Sequence, residues 1–153
     1  MQAKFMLYNN HLRITAVWLG LLAALILTDQ ITKSIFASRD FFVGPVHIYL
    51  QKNFALPFGF DFGNITNAIL ISLALGYFVW YSLVVQHRGS RIAKISLLFI
   101  LSGALGNIAD RLVLGFVRDF IDLGLGFSFN LADAFVFVGL LGLLSEMFFD
   151  STK

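Results

Sequence analysis

Four stretches of this chain carry no formal charge: residues 14–28, 62–86, 95–109 and 134–145. A 153-residue chain in which 58% of residues are hydrophobic and only 13% charged, with eighteen Phe, is too apolar to close over a single soluble core. The sequence therefore reads as an integral, all-α membrane protein with four transmembrane helices. A span takes about 20 residues at about 1.5 Å each. The shorter runs must therefore borrow from their flanks, which carries Asp29, Lys33, Asp110 or Asp133 to the membrane boundary or inside it.

Several function classes fall away at once. The formal charge of +2 and the lack of a dense basic patch give nucleic acid nothing to bind. With no cysteine there is no disulfide framework, thiolate nucleophile or Cys-based metal site. His11, His47 and His87 are scattered over both expected faces, so a metal centre is not expected. The first apolar run follows Lys4 and Arg13 as a signal peptide would, yet LAALILTDQITK offers no small-x-small cleavage site, so it is read as a retained helix.

Four crossings put both termini on one side. That side holds six basic residues, Lys4, Arg13, Arg88, Arg91, Lys94 and Lys153, against two acids; the other holds five basic residues and seven acids. The positive-inside rule then places the termini in the cytoplasm and the acid-rich face outside it. The first outer segment, residues 29–61, alternates polar and aromatic positions around residues 47–51 and contains Gly44, Pro45 and Pro57, a pattern of short strands and turns. The second, residues 110–130, reads as an irregular connection dipping back to the bilayer. No repeat or linker divides the chain, so residues 1–153 are expected to form one domain.

The outer ends of the runs collect the polar residues. Asp29 and Lys33 stand at i and i+4, the acid first, and can pair on one helix face. Asn107, Asp110 and Arg111 share a face by the same spacing, at the end of the third run. Asn130 and Asp133 have the spacing of an N-cap and an acidic N3 residue opening the fourth. Asp119 lies in the loop between, fourteen residues before Asp133. A carboxylate at membrane depth is costly unless paired, protonated or facing a wet cavity, so such acids mark function. Two that share a site cannot both ionise cheaply; one holds a proton while the other activates a water, which is aspartic-protease chemistry. Two other classes compete: a catalytically impaired membrane scaffold or assembly subunit, and a proton-coupled transporter, for which no inverted repeat is evident. The small residues Ser102, Gly103, Ala104 and Gly106 read as a helix-packing surface.

The segments SGALGNIADRLVLGFVRDF and FNLADAFVFVG resemble the two signature blocks of lipoprotein signal peptidase, also called signal peptidase II. The resemblance extends to TDQITK and to a reduced NFALPFG block, and so covers nearly the whole chain. It implies an aspartic endopeptidase of the bacterial cytoplasmic (inner) membrane, monomeric among membrane lipids. Such an enzyme removes the signal peptide of diacylglyceryl-modified prolipoproteins by cutting before the lipidated cysteine. The implied fold is four helices with a small extracytoplasmic β-cradle and a short surface helix. Asp119 and Asp133 match the catalytic pair. Asn107, Asp110, Arg111 and Asn130 match residues that order the site and contact substrate, Asp29 and Lys33 the polar end of the first helix, and Asn53 the asparagine of the first outer segment. No metal or organic cofactor is implied. The chain departs from the family pattern at Ala55, where Gly is usual, at Pro57, where a small residue is usual, at Ser102, where Gly is common, and at Arg118, where Val or Ala is frequent; near the pair, Arg118 would favour an ionised Asp119.

Overall fold

A computed structural model describes residues 2–54, 73–74, 76–81 and 90–149. Helix α1 spans Gln2–Phe36, α2 Arg91–Leu114 and α3 Leu131–Phe149. Each contains a segment long and apolar enough to cross a membrane: Arg13–Phe36, Arg91–Leu114 and Leu131–Phe148. The chain is thus a mostly helical membrane protein. Most of the second apolar run, the altered loop positions Ala55 and Pro57 and the outer-segment acid Asp61 lie outside the described residues. Within that run, residues 73–74 and 76–81 are helical, and Phe78 and Tyr81 pack against Ala93 and Leu97 of α2. No separate short surface helix occurs among the described residues.

Helices α2 and α3 meet along small residues. A methyl added at Gly103 would run into the Ala132 carbonyl and Val136. One at Gly139 would lie 2.6 Å from Ile100 Cγ1, and one at Gly142 would strike the Ser96 hydroxyl. With lipid tails as apolar as the side chains, close backbone approach is what holds such helices together.

Between the helices lies a four-stranded antiparallel sheet in the order β1-β2-β3-β4, comprising β1 (Asp40–Val43), β2 (Val46–Asn53), β3 (Val117–Asp122) and β4 (Ser128–Phe129). The hairpin joining β1 to β2 turns at Gly44, whose φ of 58° suits a residue without Cβ. The expected strand around residues 47–51 is present as β2. The expected irregular connection over residues 110–130 is not what forms. Helix α2 continues past Asp110 to Leu114 and ends at Gly115, whose φ of 81° closes the cap with its N–H on the Arg111 carbonyl. VRDFID then forms a strand that pairs with β2 on one side and β4 on the other. On one side of β3, Phe120 is buried and stacks on Phe36 at 5.0 Å between ring centroids, tying the end of α1 to the sheet.

Candidate active site

Two charged side chains at the end of α1 are fully buried. Asp29 and Lys33 are both 0% exposed and pair at 2.9 Å. Their expected pairing therefore exists, and it is buried. A buried charge needs its remaining hydrogen-bonding capacity filled. Asp29 accepts from the Ala132 main-chain N–H at 2.9 Å with its other oxygen, and Lys33 donates to Asn107 Oδ1 at 2.8 Å. Gly106 leaves the room: a Cβ there would sit 2.6 Å from Asp29 Oδ2.

Asn130 and Asp133 open α3 with a reciprocal capping box. The Asp133 N–H donates to Asn130 Oδ1 at 3.0 Å, and the Asn130 N–H donates to Asp133 Oδ2 at 3.2 Å. The cap is not the whole of their role. Asn130 Nδ2 reaches Asp119 Oδ1 at 2.6 Å and Asn107 Oδ1 at 3.2 Å, while Asn107 Nδ2 donates to Asp133 Oδ1 at 2.8 Å. Two asparagines thus hold the two aspartates. Across the sheet, Asn53 Nδ2 donates to Asp119 Oδ2 at 2.8 Å, where β2 and β3 run side by side.

Asp119 is 1% exposed. Burial pushes its pKa from 3.8 to about 6, and the neighbouring Asp133 adds to the rise, against the Asn53 and Asn130 amides and Lys33. Arg111 stands within the electrostatic reach of Asp133, Asp119 and Asp110. Four acids, Asp29, Asp110, Asp119 and Asp133, therefore face three cations, Lys33, Arg111 and Arg118. One proton on the aspartate pair makes the cluster neutral. Among the described residues, every buried side-chain nitrogen and oxygen has a partner.

All nine residues singled out in the sequence, Asp29, Lys33, Asn53, Asn107, Asp110, Arg111, Asp119, Asn130 and Asp133, lie in or against this cluster. Arg118 behaves otherwise than its neighbourhood suggested. Its guanidinium turns away from the aspartate pair and grips Asp110 in a fork, Nη2 to Oδ1 at 2.7 Å and Nε to Oδ2 at 3.2 Å. The alternation of side chains along a strand explains this, since neighbours on β3 point to opposite faces. Gln30 and Ser34 also belong to the site and were not singled out. Gln30 Oε1 accepts from Arg118 Nη2 at 2.8 Å, and Ser34 Oγ accepts from Nη1 at 3.1 Å. Their signal was available in TDQITKS, a polar cluster closing an apolar run.

A sequence profile of signal peptidase (SPase) II matches residues 21–149. A lipoprotein signal peptidase of Psychromonas ingrahamii is 32% identical over 147 residues, covering 86% of this chain and 84% of that protein. One of Burkholderia mallei is 36% identical over 145 residues, covering 86% and 87%. A solved bacterial membrane enzyme superposes with a TM-score of 0.75 at 26% identity, over 89% of this chain and 90% of that one.

Proposed function

This chain belongs to the signal peptidase II family and is a signal peptidase of the membrane; from that membership we propose that Asp119 and Asp133 are the pair that hydrolyses the peptide bond. The observation that carries the assignment is Asn130, which donates to Asp119 while exchanging two hydrogen bonds with Asp133. A single residue, donating to Asp119 from its side chain and to Asp133 from its main chain, fixes both carboxylates relative to one another, as a shared-proton mechanism requires.

The ionised member of the pair takes a proton from a water whose oxygen attacks the scissile carbonyl carbon. The protonated member gives its proton to the carbonyl oxygen, forming a gem-diol. When the gem-diol collapses, one of its hydroxyls returns a proton to the carboxylate that had given it, the C–N bond breaks, and the nitrogen takes the proton that the other carboxyl had drawn from water, so the starting protonation returns. The upward shift of Asp119 supports a pair that keeps one proton into the mildly acidic range.

The substrate in this reading is a diacylglyceryl-modified prolipoprotein cut before its lipidated cysteine, its acyl chains remaining in the bilayer. The second apolar run supplies a fourth span, giving a single-domain, monomeric protein of the bacterial inner membrane. Its termini are cytoplasmic, and the sheet and aspartate pair face the extracytoplasmic side. The excess of basic residues near the termini supports that orientation. No observation favours the scaffold or transporter alternatives.

The test is a gel-shift assay of purified enzyme with a diacylglyceryl-modified prolipoprotein. Asp119→Asn and Asp133→Asn are each expected to lower turnover on the order of 10³-fold while leaving the fold in place, since Asn matches the shape of the carboxylate but cannot take the proton. Turnover within a few fold of wild type in either variant removes the assignment.

A further inference from the structure

Arg118 precedes Asp119 on β3, yet its hydrogen bonds run to Asp110, Gln30 and Ser34 and not to the aspartate pair. Its main-chain N–H and its Nε both donate to Asp110 Oδ2, at 2.9 and 3.2 Å, and Nη2 donates to Asp110 Oδ1 at 2.7 Å. The remaining donors reach back to α1 at Gln30 and Ser34. Asp110 is 1% exposed and the Arg118 side chain 15%. Bidentate Arg–carboxylate geometry fixes direction as well as distance. The fork therefore pins the start of β3 to two helices one residue before Asp119.

Asp110 has a second cation nearby. Lys33 Nζ lies 3.6 Å from Asp110 Oδ2, against 2.9 Å to Asp29 and 2.8 Å to Asn107. With both Asp110 oxygens occupied by Arg118, Lys33 is left to Asp29 and Asn107. Asn107 in turn directs its amide to Asp133. Without the Arg118 side chain, both oxygens of the buried Asp110 would lose a hydrogen-bond donor, and Lys33, already 3.6 Å away, is the cation that would move to it. That movement would release Asn107 and with it the hold on Asp133.

We infer that Arg118 is a positioning residue for both members of the pair: its fork on Asp110 fixes the strand that presents Asp119 and keeps Lys33 on the asparagine that orients Asp133. The inference rests on the proposed Asp119–Asp133 pair. It also bears on protonation. The charged groups around the pair are Asp29 and Lys33 from α1, Asp110 and Arg111 from α2, and Arg118 itself from β3. Removing one of three cations, and drawing a second away from the pair, favours the protonated pair and moves the alkaline limb of the rate profile to higher pH.

The experiment measures kcat, KM and the pH–rate profile on a diacylglyceryl-modified prolipoprotein for wild type, Arg118→Met, Arg118→Lys and Asp119→Asn. Arg118→Met is expected to lose roughly 10- to 100-fold in kcat with KM within about twofold, because misplacing reacting groups is costly in turnover. Its alkaline limb is expected to rise by roughly half a pH unit. Arg118→Lys keeps the charge without the fork. It is expected to retain the wild-type limb with an intermediate kcat, and it answers the question even where Arg118→Met does not fold. Wild-type kcat and limbs in either folded variant overturn the inference, as does a kcat loss that only tracks the folded fraction while the limbs of Arg118→Met stay put. An active Asp119→Asn overturns the pair itself; an inactive one beside an unaffected Arg118→Met overturns this inference alone.

Discussion

Helices α2 and α3 touch twice, and by opposite means. Toward one end Gly139 and Gly142 let the backbone settle against Ser96 and Ile100, with nothing between the helices but van der Waals contact. Toward the other, Asn107 reaches Asp133 and Asn130, and Asp29 and Lys33 of α1 enter the same space, so that the seam is filled by charges and amides. The first region is held by shape and tolerates no added volume. The second is held by complementary donors and acceptors and tolerates no deletion, because each group removed strands another in a medium that cannot hydrate it. Shape alone thus holds the helices at the dry end, while at the polar end the groups that hold them are also those that carry the chemistry.

The sharpest way to break this contrast is to strand a charge. Lys33→Met should destabilise the protein by about 3–5 kcal/mol, since Asp29 loses its cation and Asn107 Oδ1 one of its donors. Denaturant titration in detergent micelles reads the loss, and a change below about 1 kcal/mol would mean the pair is not buried as described.

Next comes pH. Asp119 has its pKa raised in the folded state, from 3.8 to about 6. The folded protein therefore binds more protons than the unfolded chain between those values, and stability present below pH 4 is lost as pH rises through 6. Relative to Asp119→Asn, wild type should lose about 2 kcal/mol between pH 4 and 7. Thermal unfolding of both proteins across that range should show the gap widening and then levelling; a constant gap would contradict the burial argument.

At the dry end, Gly139→Ala should cost about 1–3 kcal/mol, because the new methyl meets the Ser96 carbonyl and Ile100. Its turnover per folded molecule should stay near wild type, separating the two regions by readout. The smallest effect belongs to Ser34→Ala, which removes one of several partners of Arg118 and should change stability by about 0.5–1 kcal/mol. A loss as large as that of Lys33→Met would show the partners of Arg118 to be less redundant than their number suggests.

The sequence carries these regions unequally. Local spacing was enough for the Asp29–Lys33 pair, for the capping partners Asn130 and Asp133, and for the small residues of α2, since each is a relation among neighbours on one helix. Strand β3 was not legible, because VRDFID is short and its main partner, β2, lies more than sixty residues earlier. The role of Arg118 was hidden for the same reason. Its partners Ser34 and Gln30 are 84 and 88 residues away, and only the pleat of β3 turns its side chain from Asp119 toward them. What escapes single-sequence reading here is the pairing of distant segments, while the choice of residue types at the site was already visible.

One bond has a further consequence for how the enzyme comes into being. The Ala132 N–H at the start of α3 is held by Asp29, 103 residues earlier on α1. Helices emerge from the ribosome in order, so the first to enter the membrane supplies a fastening for the last. A truncated product that ends before α3 has neither Asn130 nor Asp133, and one that loses α1 lacks Asp29 and Lys33 and leaves the last helix unfastened. With the proposed Asp119–Asp133 pair divided between β3 and the last helix, catalysis waits for the finished molecule.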